Sequence, residues 1–286
     1  MMRNRATFIG FGAVLLWAFL ATLTVGASEV PAFQLSAMCF AIGGAIGLLW
    51  IAFGGNGFHV LRGISWKIWA LGIGGIFGYH FFYFTALKLA PPAEAGLIAY
   101  LWPLLIVLFS GLLPGESLKP LHIIGALVAF GGAALIVGGG ATAFSGEHWM
   151  GYGAAIICAF TWSGYSVLSR LAGKTPTESV AIFCLAAAGL SLVAHLGLEE
   201  TVWPTGPIGW GSVIGLGLGP VGLAFYIWDI GVKKGNIQIL GVASYAAPML
   251  STIILILAGY ATASWILLLA AALITSGAAL AAFANR

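Results

Sequence analysis

Residues 78–105, GYHFFYFTALKLAPPAEAGLIAYLWPLL, contain the features that decide the fold of this 286-residue chain. Two apolar runs meet at Pro91 and Pro92, which predicts the end of one helix and the start of another, because the residue before a proline disfavours helical geometry. Pro103 lies deep in the second run, where it has no N–H and its ring crowds the carbonyl of Ala99. A bilayer offers that carbonyl oxygen no water, so the freed oxygen would suit a ligand-binding site. The alternative is that Pro103 serves only to kink the helix.

Aromatic side chains are concentrated in the same stretch. Tyr79 and Tyr83 stand four residues apart and share a helix face, with His80 beside them. Tyr100 and Pro103 stand three apart and share a face of the next helix. A hairpin that faced only lipid would not need this set, so we expect these faces to line an interior site.

Composition places the chain in the membrane. Hydrophobic residues make up 61% of it and charged residues only 7%, against roughly 25% in soluble proteins. The sequence therefore predicts an all-α integral membrane protein. The net charge of +3 forms no basic patch, which argues against a nucleic-acid partner. The histidines are scattered and the three cysteines lie in apolar runs, so we expect no metal, no cofactor and no disulfide framework.

Ten segments have the length that a membrane span requires, about 20 mostly apolar residues. The first is longer than the apolar part of a signal peptide, so we interpret it as a permanent span. The connections are short, which predicts a single membrane domain, residues 1–286. The predicted spans are 6–26, 32–53, 66–88, 92–112, 119–139, 149–170, 178–197, 209–231, 236–259 and 262–283.

Basic residues predict the orientation of the chain. With the N-terminus in the cytoplasm, ten of the eleven Lys and Arg residues fall on the cytoplasmic side and only Lys88 falls outside. Cytoplasmic loops carry this excess in membrane proteins. We therefore expect both termini to be cytoplasmic, which also requires an even number of spans.

A repeat relates the two halves of the chain. Moving the sequence by 145 residues without a gap pairs Trp17 with Trp162, and it also pairs Tyr100 with Tyr245. Cysteines and prolines coincide as well, including Pro103 with its counterpart Pro248. Residues 1–141 and 146–286 each hold five predicted helices. Because five is odd, the second half must be inverted, an arrangement typical of transporters with a substrate site near the midplane.

Further polar and aromatic stripes complete the candidate site. One runs along the sixth helix through Cys158, Tyr165 and Ser169, and another along the ninth through Gln238 and Thr252. Hydroxyl groups turned toward neighbouring helices would be the packing alternative. Glycine pairs four residues apart, 43/47 and 74/78, predict close helix contacts. The candidate substrate-binding residues are Trp17, Tyr79, His80, Tyr83, Ala99, Tyr100, Pro103, Trp162, Ser166, Ser244, Tyr245 and Pro248.

Charges at bilayer depth usually indicate ion coupling, and here they are few. Glu94 is expected at the outer surface, and Asp229 near the cytoplasmic end as a snorkelling pair with Lys233. His80 is the one titratable group expected deep inside. No P-loop, HExxH or GxSxG motif is present, so we predict that the protein is not an enzyme. A channel would need a continuous polar pore. The prolines inside predicted spans instead favour two halves that rock about bends at Pro103, Pro220 and Pro248.

The chain resembles the EamA-type carriers of the drug/metabolite transporter superfamily. The likeness rests on a Trp in helices one and six, LWP at 101–103, GES at 115–117 and GGAALIVGG at 131–139. The acidic residue of the GES turn, Glu116, is replaced by Ala261 in the second half, and we assign it no substrate role. The aromatic set, with Trp102 added, is most similar to the YddG-type exporters of aromatic amino acids. This resemblance implies eight helices around a central cavity, with helices five and ten outside.

The resemblance also sets the expected function. It implies an alternating-access carrier in a bacterial inner membrane that exports aromatic amino acids or similar small amphipathic metabolites. We expect no ion coupling, and a monomer or weak homodimer whose partners are the substrate and the bilayer. The alternative is a proton-coupled exporter of hydrophobic drugs or cations, which would need a buried carboxylate, or His80 as the coupling group.

Overall fold

The structure, a computed structural model, describes residues 3–54, 57–138 and 144–284. Most of those residues are helical, and they include no β-strand. Short 3₁₀ turns occupy Phe58–Leu61 and Gly146–His148, and a π-helical turn occupies Gly219–Leu223. The α-helices are α1 (Arg3–Trp17), α2 (Leu20–Gly26), α3 (Ala32–Phe53), α4 (Trp66–Leu89), α5 (Pro92–Ala99), α6 (Trp102–Ser110), α7 (Pro120–Val137), α8 (Trp149–Leu171), α9 (Ser179–Leu198), α10 (Gly206–Leu218), α11 (Ala224–Lys234), α12 (Ile237–Ala243), α13 (Ala246–Leu257) and α14 (Trp265–Phe283).

These helices combine into the ten predicted spans. Nine helical segments in the described part of the chain are long and apolar enough to cross a membrane. The tenth is α8, whose 23 residues give it sufficient length. Its stripe of tryptophan, tyrosine and serine makes it the least hydrophobic of the ten. The all-α architecture of ten spanning helices is therefore confirmed.

Helix bounds in the two halves follow the 145-residue shift closely. The broken fourth span, α5 and α6, corresponds to the broken ninth span, α12 and α13, and α7 corresponds to α14. The symmetry fails in two places. The first span breaks between α1 and α2 whereas α8 is continuous, and α4 is continuous whereas α10 and α11 are separated by the π turn. The ends predicted for the halves, residues 141 and 286, lie outside the described residues, so the division at 141 and 146 stays a prediction.

Proline explains three of the four breaks. Pro103 and Pro248 each lie at the start of the helix that follows a break, and Pro220 lies in the π turn. A proline donates no backbone hydrogen bond and its ring pushes on the preceding turn, so the helix yields there. The bends predicted at these prolines are confirmed. The break after Trp17 contains no proline and was not predicted.

Close backbone contacts fix how the spans pack. A Cβ added to Gly43 of α3 would come within 2.8 Å of the Cα of Gly222 in the π turn. One added to Gly47 would overlap the Tyr226 side chain, so the prediction for residues 43 and 47 is confirmed. The prediction for Gly74 is wrong, because a Cβ there meets nothing within 4 Å.

The α7–α14 pair forms one side of the bundle. The two helices approach so closely that a Cβ on Gly125 would lie 2.5 Å from the carbonyl of Gly277. Their outer faces expose large apolar side chains such as Leu127 and Leu268. This position agrees with the expectation that the fifth and tenth spans lie outside the ring formed by the other eight.

Candidate functional site

Four tryptophans meet in the middle of the bundle. We call this group the tryptophan tetrad: Trp17, Trp102, Trp162 and Trp228. Ring centroids in all six pairs lie between 5.1 and 6.3 Å apart, mostly in edge-to-face or tilted arrangements. Aromatic pairs in this distance range attract one another beyond their shared burial. Two tetrad members come from each half of the chain, so the tetrad lies where the halves meet.

Helix breaks place the tetrad rings. Trp17 is the last residue of α1 and Trp102 the first of α6, so both side chains leave the backbone at interruptions. The Trp17 indole Nε1–H donates to the carbonyl of Pro220 in the π turn, at 3.2 Å. Trp228 is fully buried one turn beyond that π turn, and its Nε1–H donates to Ser166 Oγ at 3.1 Å.

A row of polar aromatic side chains on α4 extends from the tetrad. Tyr79 lies 5.3 Å from Trp162, stacks on Tyr83 at 5.9 Å and meets the His80 ring at 5.1 Å. We call Tyr79, His80 and Tyr83 the α4 face. All three remain partly accessible, although their rings contact other spans. Accessible polar rings inside a membrane bundle can line a substrate cavity.

The His80 ring is held in one tautomer. Its Nδ1 lies 2.8 Å from the carbonyl oxygen of Ile76, which can only accept a hydrogen bond. Nδ1 therefore carries the proton, and in the neutral ring Nε2 is an acceptor. The centroid of the His80 ring lies 4.9 Å from that of Phe40 and 6.0 Å from that of Phe225, both in edge-to-face arrangements. His80 thus presents a single acceptor nitrogen among apolar rings.

Tyr100 and Tyr245 are placed differently from the α4 face. Tyr100 is partly accessible, packs toward α7 and lies near Tyr83, at the edge of the α4 face. Tyr245 has no accessible surface and packs against Phe130 of α7. Its hydroxyl accepts the backbone N–H of Leu104 at 3.0 Å. The expectation that Tyr245 shares the central cavity is not met in this conformation, because the start of α6 takes up its hydroxyl.

The backbone beside the second proline break differs from what the sequence predicts. Ser244 stands four residues before Pro248, as Ala99 stands before Pro103, but its carbonyl oxygen is not freed. That oxygen accepts the N–H of Ala247 at 3.1 Å, because the chain tightens into an i to i+3 turn. The Ser244 side chain is fully buried and donates to Leu240. Ala99 is buried at the end of α5, and Pro103 and Pro248 are buried beside their breaks. Ser166 is fully buried and contacts the tetrad through Trp228.

A charged cluster closes one end of the bundle. We call Arg3, Glu116, Arg170 and Gln238 the Glu116 cluster. The Glu116 carboxylate accepts from Arg3 at 2.8 Å, from Gln238 at 3.2 Å and from Arg170. Arg170 also donates to the carbonyls of Val232 and Gly235. Glu116 and Arg3 belong to the first half, and Arg170 and Gln238 to the second.

The Glu116 cluster is electrostatically favourable. Burial of the Glu116 carboxyl raises its pKa, but the Arg170 charge, the Gln238 hydrogen bond and Arg3 together outweigh burial and hold the pKa below its ordinary value. The carboxylate is therefore ionised at neutral pH and holds the two halves together. No substrate role was assigned to Glu116, and its contacts indicate a structural one.

A second cluster lies at the opposite end. Glu199, after α9, accepts the backbone N–H groups of Phe33 and Gln34 at 3.0–3.1 Å and so caps the start of α3. His195 holds the same carboxylate at 3.1 Å, and Lys88 approaches it at 3.9 Å. We call Glu199, His195 and Lys88 the Glu199 cluster. The end of α4 is thereby attached to the loop after α9.

Two predicted surface groups prove to be buried. Asp229 and Lys233 form a 2.8 Å ion pair whose side chains are 1% and 3% exposed, so the pair does not snorkel. Thr177 also donates to Asp229. Glu94 is buried and accepts from the Tyr152 hydroxyl. Among the residues that the structure describes, no set of three His, Cys, Asp or Glu side chains is arranged to hold a metal.

Sequence reasoning missed several rings of the site. Trp228 is absent from the predicted site residues, although it directly precedes Asp229. Phe40 and Phe225 were also missed, because phenylalanine in an apolar helix gives no polar signal. Trp228 corresponds to Tyr83 under the 145-residue shift, so the repeat could have indicated it.

Together these observations define a helical membrane protein of the carrier class, with two related halves, broken helices and an aromatic site between them. The chain belongs to the EamA-like transporter family, whose model matches residues 4–138 and again 149–283. Those two matches are offset by the same 145 residues as the internal repeat.

Named relatives refine this assignment. The chain is 54% identical over its whole length to an aromatic amino acid exporter YddG of Ancylobacter novellus, also covered entirely. It is 24% identical to the protein of that name in Escherichia coli K12, with 88% of each chain covered. A crystal structure with 55% sequence identity superposes with a TM-score of 0.95 over 99% of both chains.

Proposed function

We propose that this protein is an alternating-access carrier that exports aromatic amino acids or similar small amphipathic metabolites. The observation that carries the proposal is the tryptophan tetrad, which joins the two halves and continues into the accessible α4 face. The name of the full-length relative at 54% identity supports the substrate class. Membership of the transporter family supports transport rather than catalysis.

Substrate recognition would depend mainly on the aromatic rings of the tetrad and the α4 face. An aromatic side chain between the tetrad and the α4 face gains burial together with edge-to-face contacts of about 0.5–1.5 kcal/mol per pair. Its ammonium group can lie over a ring face, a contact of roughly 0.5–2 kcal/mol. His80 Nε2 and the tyrosine hydroxyls offer hydrogen bonds to the amino group or to an indole N–H. The sum of these contact free energies is modest, which suits a carrier that must release its substrate.

Transport would follow from bending at the helix breaks. The breaks beside Pro103 and Pro248 and the π turn at Pro220 allow the halves to rock around the site. In this conformation the Glu116 cluster is closed, so opening that end requires its separation. We propose that the substrate moves down its own gradient, because the buried Asp229 is neutralised by Lys233.

The remaining features of the proposal concern the membrane. We propose that both termini and the Glu116 cluster lie in the cytoplasm of a bacterial cell and that the Glu199 cluster lies outside, in keeping with the distribution of Lys and Arg. We also propose a monomer or weak homodimer in the inner membrane.

The test is counterflow in proteoliposomes with labelled tryptophan, phenylalanine and tyrosine. Trp162→Ala removes a ring that contacts the three other tetrad members, so we expect the half-saturation concentration to rise about ten-fold, the loss of one or two aromatic contacts. Trp149→Ala is the matched control, because Trp149 is 68% exposed at the outer surface of the bundle. It should leave the half-saturation concentration unchanged.

Two outcomes would contradict the proposal. Saturable counterflow of lipophilic cations without any of aromatic amino acids would favour the drug-exporter alternative. Uphill accumulation driven by an imposed pH gradient, abolished by His80→Ala while counterflow persists, would show proton coupling.

A further inference from the structure

The Trp17–Pro220 hydrogen bond joins the substrate site to a hinge. Its donor is the Trp17 indole, whose ring lies 5.1 Å from Trp228 and 5.9 Å from Trp162. Its acceptor is a backbone carbonyl in the π-helical turn Gly219–Leu223. Donor and acceptor belong to opposite halves, and each lies where its span is interrupted.

The acceptor turn is a site of backbone irregularity. Pro220 has no N–H, so the carbonyl four residues before it loses its normal helical donor and the helix widens into a π turn. Gly219 leaves the α-helical region, with φ −101° and ψ −96°. A hydrogen bond to such a turn restrains a backbone that could otherwise bend.

The equivalent position in the first half is built differently. Gly75 precedes Pro220 by 145 residues and lies inside the unbroken helix α4. A Cβ on Gly75 would lie 2.5 Å from the Tyr165 ring, so α4 is clamped by close packing there. The hinge therefore belongs to the second half, whereas the indole that restrains it belongs to the first.

We infer that Trp17 is a positioning residue whose indole N–H, bound to the Pro220 carbonyl, holds the π-turn hinge in the conformation that keeps the Glu116 cluster closed. The inference rests on the proposed function, because a substrate that presses on the Trp17 ring would loosen this bond and so favour bending. Span eight continues through α11 to the Val232 carbonyl that Arg170 holds, so bending at Pro220 acts directly on the Glu116 cluster.

The first measurement is hydrogen exchange, which needs no substrate. In this conformation the N–H of Asn236 donates to Thr7 Oγ1 at 2.8 Å, so segment 236–240 reports whether the Glu116 end is closed. Trp17→Phe keeps an aromatic ring and removes the N–H. We expect exchange in this segment to become about five-fold faster, as expected for loss of one neutral hydrogen bond.

Two further variants distinguish the effect of losing the hydrogen bond from the effect of altered ring packing. Replacing Trp17 with the sulfur isostere benzothienylalanine keeps the shape of the indole and removes only the N–H, so it should reproduce the effect of Trp17→Phe. Trp228→Phe is the matched control, because Trp228 also donates an N–H, but to Ser166 in the continuous helix α8. It should leave exchange in segment 236–240 within two-fold of the wild type.

Transport kinetics give the second readout. In tryptophan counterflow, the benzothienylalanine protein, which keeps the ring shape that substrate contacts, should change the maximal rate about five-fold while the half-saturation concentration changes less than two-fold. Unchanged exchange with the isostere, or an equal increase with Trp228→Phe, would overturn the inference. A higher half-saturation concentration at unchanged rate would also overturn it, because the N–H would then bind substrate directly. If wild-type protein does not transport aromatic amino acids, the proposed function fails while the exchange result stands.

Discussion

Two residues of the same type can have different roles in this protein, one beside the candidate substrate site and the other in packing between helices. Tyr100 and Tyr245 are related by the repeat, yet only Tyr100 keeps accessible surface beside the α4 face. Pro103 breaks the fourth span and leaves the first N–H groups of α6 without helical acceptors. The Tyr245 hydroxyl accepts the N–H of Leu104, so it acts as a cap supplied by the other half.

Tyr245→Phe is predicted to lower stability without changing substrate affinity. It leaves the buried N–H of Leu104 without an acceptor, which costs about 1–3 kcal/mol. Thermal unfolding in detergent should therefore occur at a lower temperature than in the wild type. Tyr100→Phe, the matched variant, should raise the half-saturation concentration for counterflow and leave unfolding nearly unchanged. The reverse pattern in the two variants would place Tyr245 at the substrate site.

At the scale of whole helices, some features follow from the sequence of the helix itself, whereas others depend on the helix that packs against it. Proline predicted where spans four, eight and nine bend, since its effect on a helix is local. Glycine was a weaker guide: residues 43 and 74 both belong to four-residue glycine pairs, yet only Gly43 meets another backbone. Whether a glycine permits close approach depends on which helix lies opposite, and the sequence of its own helix does not contain that information.

Gly43→Ala is predicted to destabilise the contact between α3 and the π turn. The added Cβ would lie 2.8 Å from the Gly222 Cα, a backbone atom that cannot move aside cheaply, so we expect a cost of about 1–3 kcal/mol. Gly74→Ala is the control, since it adds the same methyl where nothing lies within 4 Å. Equal unfolding temperatures for the two variants would contradict this description of the α3 contact.

The whole molecule is held at both ends by polar clusters that join distant parts of the chain. The Glu116 cluster joins the two halves at one end. At the other end, the Glu199 cluster joins the start of α3 to the ends of α4 and α9. The tetrad lies between these ends. A carrier needs end contacts that can separate, and charged pairs at a water-facing end suit this better than apolar packing, because water can solvate them once parted.

Glu116→Gln is predicted to lower thermal stability in a pH-dependent way. Because the folded pKa of Glu116 lies below the ordinary value of 4.5, its charge stabilises the fold fully above that value, and the contribution is lost as pH falls through the folded pKa. At pH 7 the variant should be destabilised by on the order of 1–3 kcal/mol. The difference from wild type should shrink below about pH 4.5.

Glu147→Gln is the control for this experiment, because Glu147 lies exposed in the 3₁₀ turn Gly146–His148 at the other end. It should unfold like the wild type at both pH values. A Glu116→Gln deficit that stays the same at low pH would mean that shape, and not charge, stabilises the cluster.

The sequence by itself determined the membrane class, the ten spans, the internal repeat and the proline bends. These depend on composition, run length and local backbone chemistry, which are all properties of short stretches. Only the tertiary structure decided that Trp228 completes the tetrad, that Tyr245 caps α6, that the Ser244 carbonyl is satisfied, and that Trp17 reaches Pro220 across the halves. Each of these depends on which atoms from distant segments come within hydrogen-bonding or ring-contact distance. The repeat indicated that the halves resemble each other, but the contacts between them are asymmetric, so one half could not be read from the other.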